Sequence, residues 1–289
     1  MEKEPSSDNR DGKSKSQSLD RGLMVLEAIG AADADLGVRD LARMLGIAKS
    51  IVQRLLNTLF ERGFVEQDPV SRKYRIGARA FEIGSGFTRS GSLAQIATPE
   101  LELLTKQHQL NSYLGILRDN TALYLATLQS SGPIAIQVSP GDRIPLHTTA
   151  LGKALLFDMS DAEIRALLEG TQMERRTAKS KLGIAALIKE VRQAKALGFT
   201  ISEGENIVGI YSIGAPVYDA TGHIIAAISG ALPVDLVGRG NLDHLSRAVV
   251  ATAARISQRL GAPRRLAAVA TGGTLITRKS TPTIRSKGN

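Results

Sequence analysis

The alternation of apolar and polar positions is sharpest over residues 41–63, LARMLGIAKSIVQRLLNTLFERG. Val52, Leu55, Leu56 and Leu59 recur at i, i+3, i+4 and i+7 and predict one apolar face of a helix over 49–62. Ser50, Gln53, Arg54 and Asn57 recur at the same spacing on another face. Gly46 falls where a preceding helix over 38–45 must stop, because glycine takes the left-handed conformation without a Cβ clash. The next stretch, FVEQDPVSRKYRIG (64–77), predicts two short strands around a turn at Asp68-Pro69-Val70-Ser71. Two helices, a tight turn and a hairpin make a helix-turn-helix with a wing.

The second stripe carries the candidate chemistry. A face that only meets water is more often Glu and Lys. Ser, Gln, Arg and Asn offer the donors and acceptors that match base edges, so 49–62 is the expected recognition helix for a major groove. The plain alternative is a wetted face on an amphipathic helix. The wing tilts the choice toward DNA, because Arg72, Lys73 and Arg75 cluster on its tip and return strand, within reach of phosphates. Lys49 adds a phosphate contact at the start of the helix.

Around this block the pattern predicts further elements. A helix starts at Ser18 with Leu19, Leu23, Leu26 and Ile29 on one side. The 38–45 helix lacks a good cap, since Gly37 and Val38 stand where Ser or Thr is expected. Residues 78–109 are helical with a break near 84–91, a helical linker that suits a lever or a dimer contact, or serves only as a spacer. Then 112–118 and 122–128 predict strands around Asp119-Asn120, and PIAIQV (133–138) another. Helices follow from Thr149, over 161–169 and around 184–191. Strands are expected at 199–203, 210–219 and 223–231, and a long closing helix carries Leu242, Leu245, Val249, Ala253, Ile256 and Leu260. Antiparallel strands with helices outside them make an α+β domain.

Composition bounds this picture. A chain of 289 residues with 43% hydrophobic content has room for two cores. With no cysteine, disulfides and thiolate metal sites are excluded. The polar start is not a secretory signal, and the most apolar run, near 224–234, is too short for a membrane span, so a cytoplasmic protein with no membrane partner is expected. The net charge of +9 is misleading as a whole: six basic and no acidic residues lie in 262–289. The informative excess is local, nine basic against four acidic residues over 39–79. The four histidines, His108, His147, His223 and His244, have no metal spacing, and no GxSxG or phosphate loop is present. His147 with Glu203 or Glu205 is the one pairing an enzyme reading offers. No enzyme, metal or cofactor is expected; a ligand-independent architectural DNA binder is the other rival.

With residues 18–261 read, the chain resembles the IclR family of bacterial transcription regulators. The resemblance rests on QSLDRGLMVLEAI, LARMLGIAKSIVQRLLNTLFERGFVEQDP and KYRIGARAFEIG at one end. IPLHTTALGKALL (144–156) and ENIVGIYSIGAPVYDATGHIIAAIS (205–229) carry it at the other. It implies an N-terminal winged helix-turn-helix (18–77) joined by a helical linker (78–109) to a C-terminal GAF-like effector-binding domain (110–261). A disordered tail (1–17) and a basic flexible tail (262–289) flank them. It implies a homodimer or tetramer on double-stranded operator DNA, controlled by a small organic or aromatic acid.

Carried over by position, the pocket would involve the backbone at Ala150 and Gly152, then Ile210, Ser212 and Ser229, with His147 in reach. Unpaired amides at the start of the 149–157 helix would suit a carboxylate. The chain departs from the family pattern at Tyr211, Ser212, Ala231 and Ile51. An added Tyr211 suits a larger or more aromatic ligand, unless strand alternation turns it away.

Overall fold

The computed structural model describes residues 16–89, 93–131, 136–237 and 241–263. The expected 1–17 tail, apart from its last two residues, and nearly all of the 262–289 tail lie outside them. The chain divides into two compact units, 1–90 and 91–289.

The first unit contains α1 (Gln17–Gly30), α2 (Val38–Leu45), α3 (Lys49–Glu61), β1 (Val65–Gln67), β2 (Tyr74–Ile76) and α4 (Ala78–Arg89). Gly46 ends α2 in the left-handed region at φ 65°, as the sequence predicts. Val25, Ile29, Leu41, Ile47, Val52, Leu56, Val65 and Tyr74 are its buried core. The inner face of α1 differs from expectation. Val25 and Ile29 are buried, while Leu19 and Leu23 are 63% and 49% exposed. The helix is rotated so that Gly22 faces Leu55, which leaves its first turns without apolar cover. The start of α2 has no side-chain cap, as expected, since Gly37 is its N-cap; the Asp40 carboxylate accepts the Gly37 N–H at 3.3 Å, which is only the reciprocal half of a capping box. Of the break expected near 84–91, Gly84 and Gly86 are no part: helix α4 runs on through them and ends at Arg89. Glycine in a helix interior costs about 1 kcal/mol and does not forbid the helix.

In the wing, β1 and β2 pair antiparallel with Glu66 opposite Arg75. The Asp68 carboxylate closes the turn by accepting the N–H groups of Val70 (3.1 Å) and Ser71 (2.6 Å) and the Ser71 hydroxyl (2.8 Å). Leu36 bridges to Tyr74 and ties the 31–37 loop to the hairpin.

The second unit contains α5 (Leu93–His108), β3 (Asn111–Arg118), β4 (Thr121–Leu128), β5 (Arg143–Pro145), α6 (Ala150–Leu155), α7 (Asp161–Leu168), α8 (Ile184–Leu197), β6 (Thr200–Glu203), β7 (Ile210–Tyr218), β8 (Ile224–Pro233) and α9 (Asn241–Arg259). The 78–109 segment is thus two helices, one in each unit. The six strands form one antiparallel sheet in the order β5-β4-β3-β8-β7-β6. One face packs on α5 and α9 through Leu101, Leu104, Leu114, Ile213, Ile228, Val249 and Ile256. The other packs on α6, α7 and α8 through Leu151, Leu155, Ile164, Leu187 and Val191. Strand β5 was not anticipated, because three residues with one buried isoleucine carry no period. Of the strand expected at 133–138, residues 136–138 lie in no strand and 133–135 lie outside the described residues. Ile136 and Val138 alternate because they pack on the apolar cluster around α6.

Helix α6 lies unusually close to the sheet. A Cβ at Gly214 would sit 2.4 Å from the Ala150 carbonyl oxygen, and one at Gly115 would sit 2.9 Å from Leu151. The Thr200 hydroxyl donates to the Ala150 carbonyl (2.6 Å) and the Ser202 hydroxyl to that of Thr148 (2.6 Å). Glycines make the space, and hydroxyls fix the helix there.

Candidate functional site

Two surfaces concentrate the chemistry, one in each unit. On the first, Lys49, Ser50, Gln53, Arg54 and Asn57 are all exposed along α3, while Val52 and Leu56 anchor its other face. Gln53 Nε2 donates to Asn57 Oδ1 at 2.9 Å and lies 3.4 Å from the Tyr74 hydroxyl, so the polar stripe is linked to the wing. Ile51 packs partly buried against the core and offers no hydroxyl to a backbone phosphate. On the wing, Arg72 and Lys73 are exposed, and Arg72 takes φ 58° at the tip. The amide of Gln67 holds the Arg72 carbonyl at 3.0 Å. Arg75 is paired with Glu66 at 3.3 Å, with both side chains about half exposed, a pair weak enough to yield to a phosphate.

The hydrogen bond from the Ser71 N–H, with further bonds from the Ser71 hydroxyl and Val70 N–H, holds the Asp68 carboxyl below its ordinary value. A depressed carboxylate stabilises the folded turn above its ordinary range, and the benefit fades as pH falls through the lowered value. Asp68→Ala should therefore speed amide exchange at Val70 and Ser71 severalfold at neutral pH and leave the α3 amides unchanged. Equal rates in the two proteins would show that the turn holds without the carboxylate.

On the second surface a cavity of about 710 Å³ opens between the sheet and α6. That volume suits a small organic ligand. Ser212, Ser229 and Ala231 line it from β7 and β8, Tyr113 and Tyr124 from β3 and β4, and Ala150 and Leu151 from α6. Asn206, Ile207 and Val208 line it from the loop between β6 and β7. The tyrosine rings stand 5.1 Å apart and tilted by 32°. Burial pushes both phenols well above their ordinary value, so they stay neutral.

Of the six residues expected here, Ala150, Ile210, Ser212 and Ser229 line the cavity. Gly152 and His147 do not. The Gly152 N–H is capped by the Thr149 hydroxyl at 3.1 Å, so it is not an unpaired amide, and Gly152 is pressed against Leu146. His147 is buried and its Nε2 meets the Glu174 carbonyl oxygen at 3.0 Å. It ties two segments together. Tyr211 faces the opposite side of the sheet, within the α5 and α9 core. The cavity's aromatic side chains are Tyr113 and Tyr124 instead, and their alternate positions in SYLGILR and ALYLATL were the available signal.

Sequence reading also missed a buried charge cluster behind the cavity. Lys153 is fully buried in α6, and its ammonium donates to Glu205 (2.7 Å), Glu190 (2.8 Å) and the Ile201 carbonyl (3.1 Å). Lys181 reaches the same two carboxylates at 3.0 and 3.4 Å. Burial works against the Lys181 charge, but bonds and charges from Glu190 and Glu205 together outweigh it and raise its pKa. A lysine inside the apolar run ALGKALLF was the visible hint. His147, Glu203 and Glu205 are not brought together: Glu203 pairs with Lys179 at 2.9 Å. Among the described residues there is no group of His, Asp and Glu able to hold a metal ion, and no helix is long and apolar enough to cross a membrane.

Residues 18–69 match the IclR helix-turn-helix domain, and residues 86–258 match the family described as bacterial transcriptional regulator, IclR C-terminal. The chain belongs to the IclR family of bacterial transcriptional regulators. It is 32% identical over 241 residues to the regulator BhcR of Paracoccus denitrificans, covering 83% of this chain and 86% of that one. It is 28% identical over 247 residues to the regulator XynR of Escherichia coli, covering 86% and 98%. The crystal structure of an IclR homologue from Microbacterium hydrocarbonoxydans, complexed with 4-hydroxybenzoate, superposes with a TM-score of 0.72 at 22% identity, over 84% of this chain and 98% of that one. An IclR-type regulator of Alicyclobacillus acidocaldarius gives 0.75 at 21%, over 85% and 99%. The winged helix-turn-helix and α+β architecture described above is that of IclR regulators.

Proposed function

We propose that this IclR-family chain is a one-component switch whose binding to operator DNA is set by a small organic or aromatic acid held in the C-terminal cavity. The observation that carries the reading is that cavity: about 710 Å³, floored by hydroxyls and walled by two tyrosines, in the unit that follows a winged helix-turn-helix. A purely architectural DNA binder has no use for it. A structural relative with the same fold holds 4-hydroxybenzoate, a ligand of the proposed class. Helix α3 enters the major groove with Ser50, Gln53, Arg54 and Asn57 toward the bases. Lys49, Arg72, Lys73 and Arg75 take phosphates. The protein works in the cytoplasm as a dimer or tetramer on a near-palindromic site, with 18–77 binding DNA, 78–109 connecting and 110–261 sensing. It has no catalytic role and needs no cofactor.

The test is binding of the purified chain to its own upstream DNA and to scrambled DNA over a salt series, with and without a panel of acids. Preference for the upstream fragment, and a change of roughly 5- to 150-fold in operator affinity with one acid, is the expected result. An acid that stabilises the protein yet leaves operator affinity unchanged would refute coupled control. Salt-sensitive binding without preference would remove the operator.

A further inference from the structure

We propose that Arg176 reads the charge of the effector. It turns onto the carboxylate of a bound organic acid and sets the preference for acids over their neutral analogues. The inference rests on the effector reading above. Three charged side chains line the cavity among the described residues: Asp142, Arg143 and Arg176. Arg143 donates to Asp119 at 3.2 Å in an exposed pair, and the carboxylate of its sequence neighbour Asp142 shares the lining with it, which opposes an acid there. The rest of the lining is hydroxyl, amide and apolar. An acid that enters this space therefore finds two cations, of which Arg176 is the one with no carboxylate next to it in sequence among the lining residues.

The setting of Arg176 suits that task. Its backbone is pinned: the Arg176 and Thr177 N–H groups donate to the Ser180 hydroxyl at 3.0 and 2.8 Å. That hydroxyl donates in turn to the Glu205 carbonyl at 2.8 Å, and the Thr177 hydroxyl to the Gly204 carbonyl at 2.6 Å. The same loop supplies Asn206 and Ile207 to the cavity wall. The guanidinium, by contrast, is loosely held. Its ion pair is with Glu174 at 3.5 Å, and the two side chains are 46% and 64% exposed. Such a pair contributes little and is readily exchanged. A ligand carboxylate inside the cavity offers a better partner, because a planar guanidinium binds a carboxylate bidentately and charge-assisted bonds strengthen away from bulk water. A fixed backbone with an exchangeable head group makes a selector that costs the fold nothing when empty.

The experiment is calorimetric titration of the full chain and of Arg176→Gln and Arg176→Lys with matched pairs: benzoate and benzamide, 4-hydroxybenzoate and its amide, pyruvate and pyruvamide. The expected result is that at least one acid binds the unchanged protein and loses about 10- to 100-fold in affinity on Arg176→Gln. Arg176→Lys should recover part of that loss. Amide affinities and the unliganded melting temperature should not move, which separates charge reading from damage to the fold. An acid that binds both proteins equally would overturn the assignment and leave the effector reading intact. Binding of amides alone would do the same. No binding by any acid or amide would overturn the effector reading, and this assignment with it.

Discussion

Lys153→Ala is expected to destabilise the C-terminal unit by about 3–5 kcal/mol, the cost of breaking a buried ion pair from one side. The lysine ammonium meets three acceptors and is fully buried, while Glu205 is 5% exposed. Among the described residues, removing the cation leaves the Glu205 carboxylate with the longer contact to half-exposed Lys181. An exposed pair such as Arg79 with Glu82 would cost no more than about 1 kcal/mol, so the magnitude distinguishes a buried cluster from decoration. Urea unfolding followed by a probe in the C-terminal unit measures it. Lys153→Met with Glu205→Leu should recover most of the loss, because the orphaned charge goes with its partner. A loss under 1 kcal/mol for the single change would show that water reaches the cluster. Lys181 adds a pH signature: its raised pKa contributes stability that is complete below the ordinary lysine value of 10.5 and is lost as pH climbs through the raised one.

The second large effect concerns DNA. Arg54→Ala should erase most discrimination between operator and random DNA, a loss of about 1–3 kcal/mol on the operator alone. Arg72→Ala should weaken both DNAs alike and reduce the salt slope by about one ion. Arg54 is exposed on the α3 stripe beside a Gln53–Asn57 pair that is already hydrogen-bonded. Arg72 stands at the wing tip on a turn closed by Asp68. Anisotropy titrations on both DNAs at several salt concentrations decide it. If each variant loses the same factor on both DNAs, the division between base reading and phosphate anchoring is wrong.

These expectations show where the sequence was legible. Periodicity set α3, α9 and the long strands, because their burial repeats every 3.6 or 2 residues. It failed for α1, where Leu19 and Leu23 are as apolar as Val25 and Ile29, and only the placement of neighbours decides which are covered. The break expected near 84–91 does not fall at Gly84 or Gly86, where propensity is weaker than the pull of a continuing helix; α4 ends at Arg89 and α5 begins at Leu93, close to the expected second start. In the cavity, four of six expected residues line it, since they follow strand alternation on β7 and β8 or begin α6. Gly152 and His147 could not be judged from sequence. Their partners, Thr149 and the Glu174 carbonyl, are set by how loops fold back. The Lys153 cluster joins residues 37 and 52 positions away, a distance over which local pattern carries no information.

One feature of the sheet bears on how the proposed effector would make itself felt. Tyr113 lines the cavity, and Ser112 beside it bonds α5 through Thr105 and the Leu101 carbonyl. Ser212 lines the cavity, and Ile213 packs under α5 and α9; Ser229 and Ile228 repeat the arrangement. The cavity face and the face that carries α5 and α9 are thus separated by the thickness of a single peptide layer, in the manner of a diaphragm. Under the proposed switch, a ligand that altered the twist of β3, β7 or β8 by a few degrees would push on α5 directly. No relay of side chains is needed, and substitutions that retune the cavity act on the far face as well.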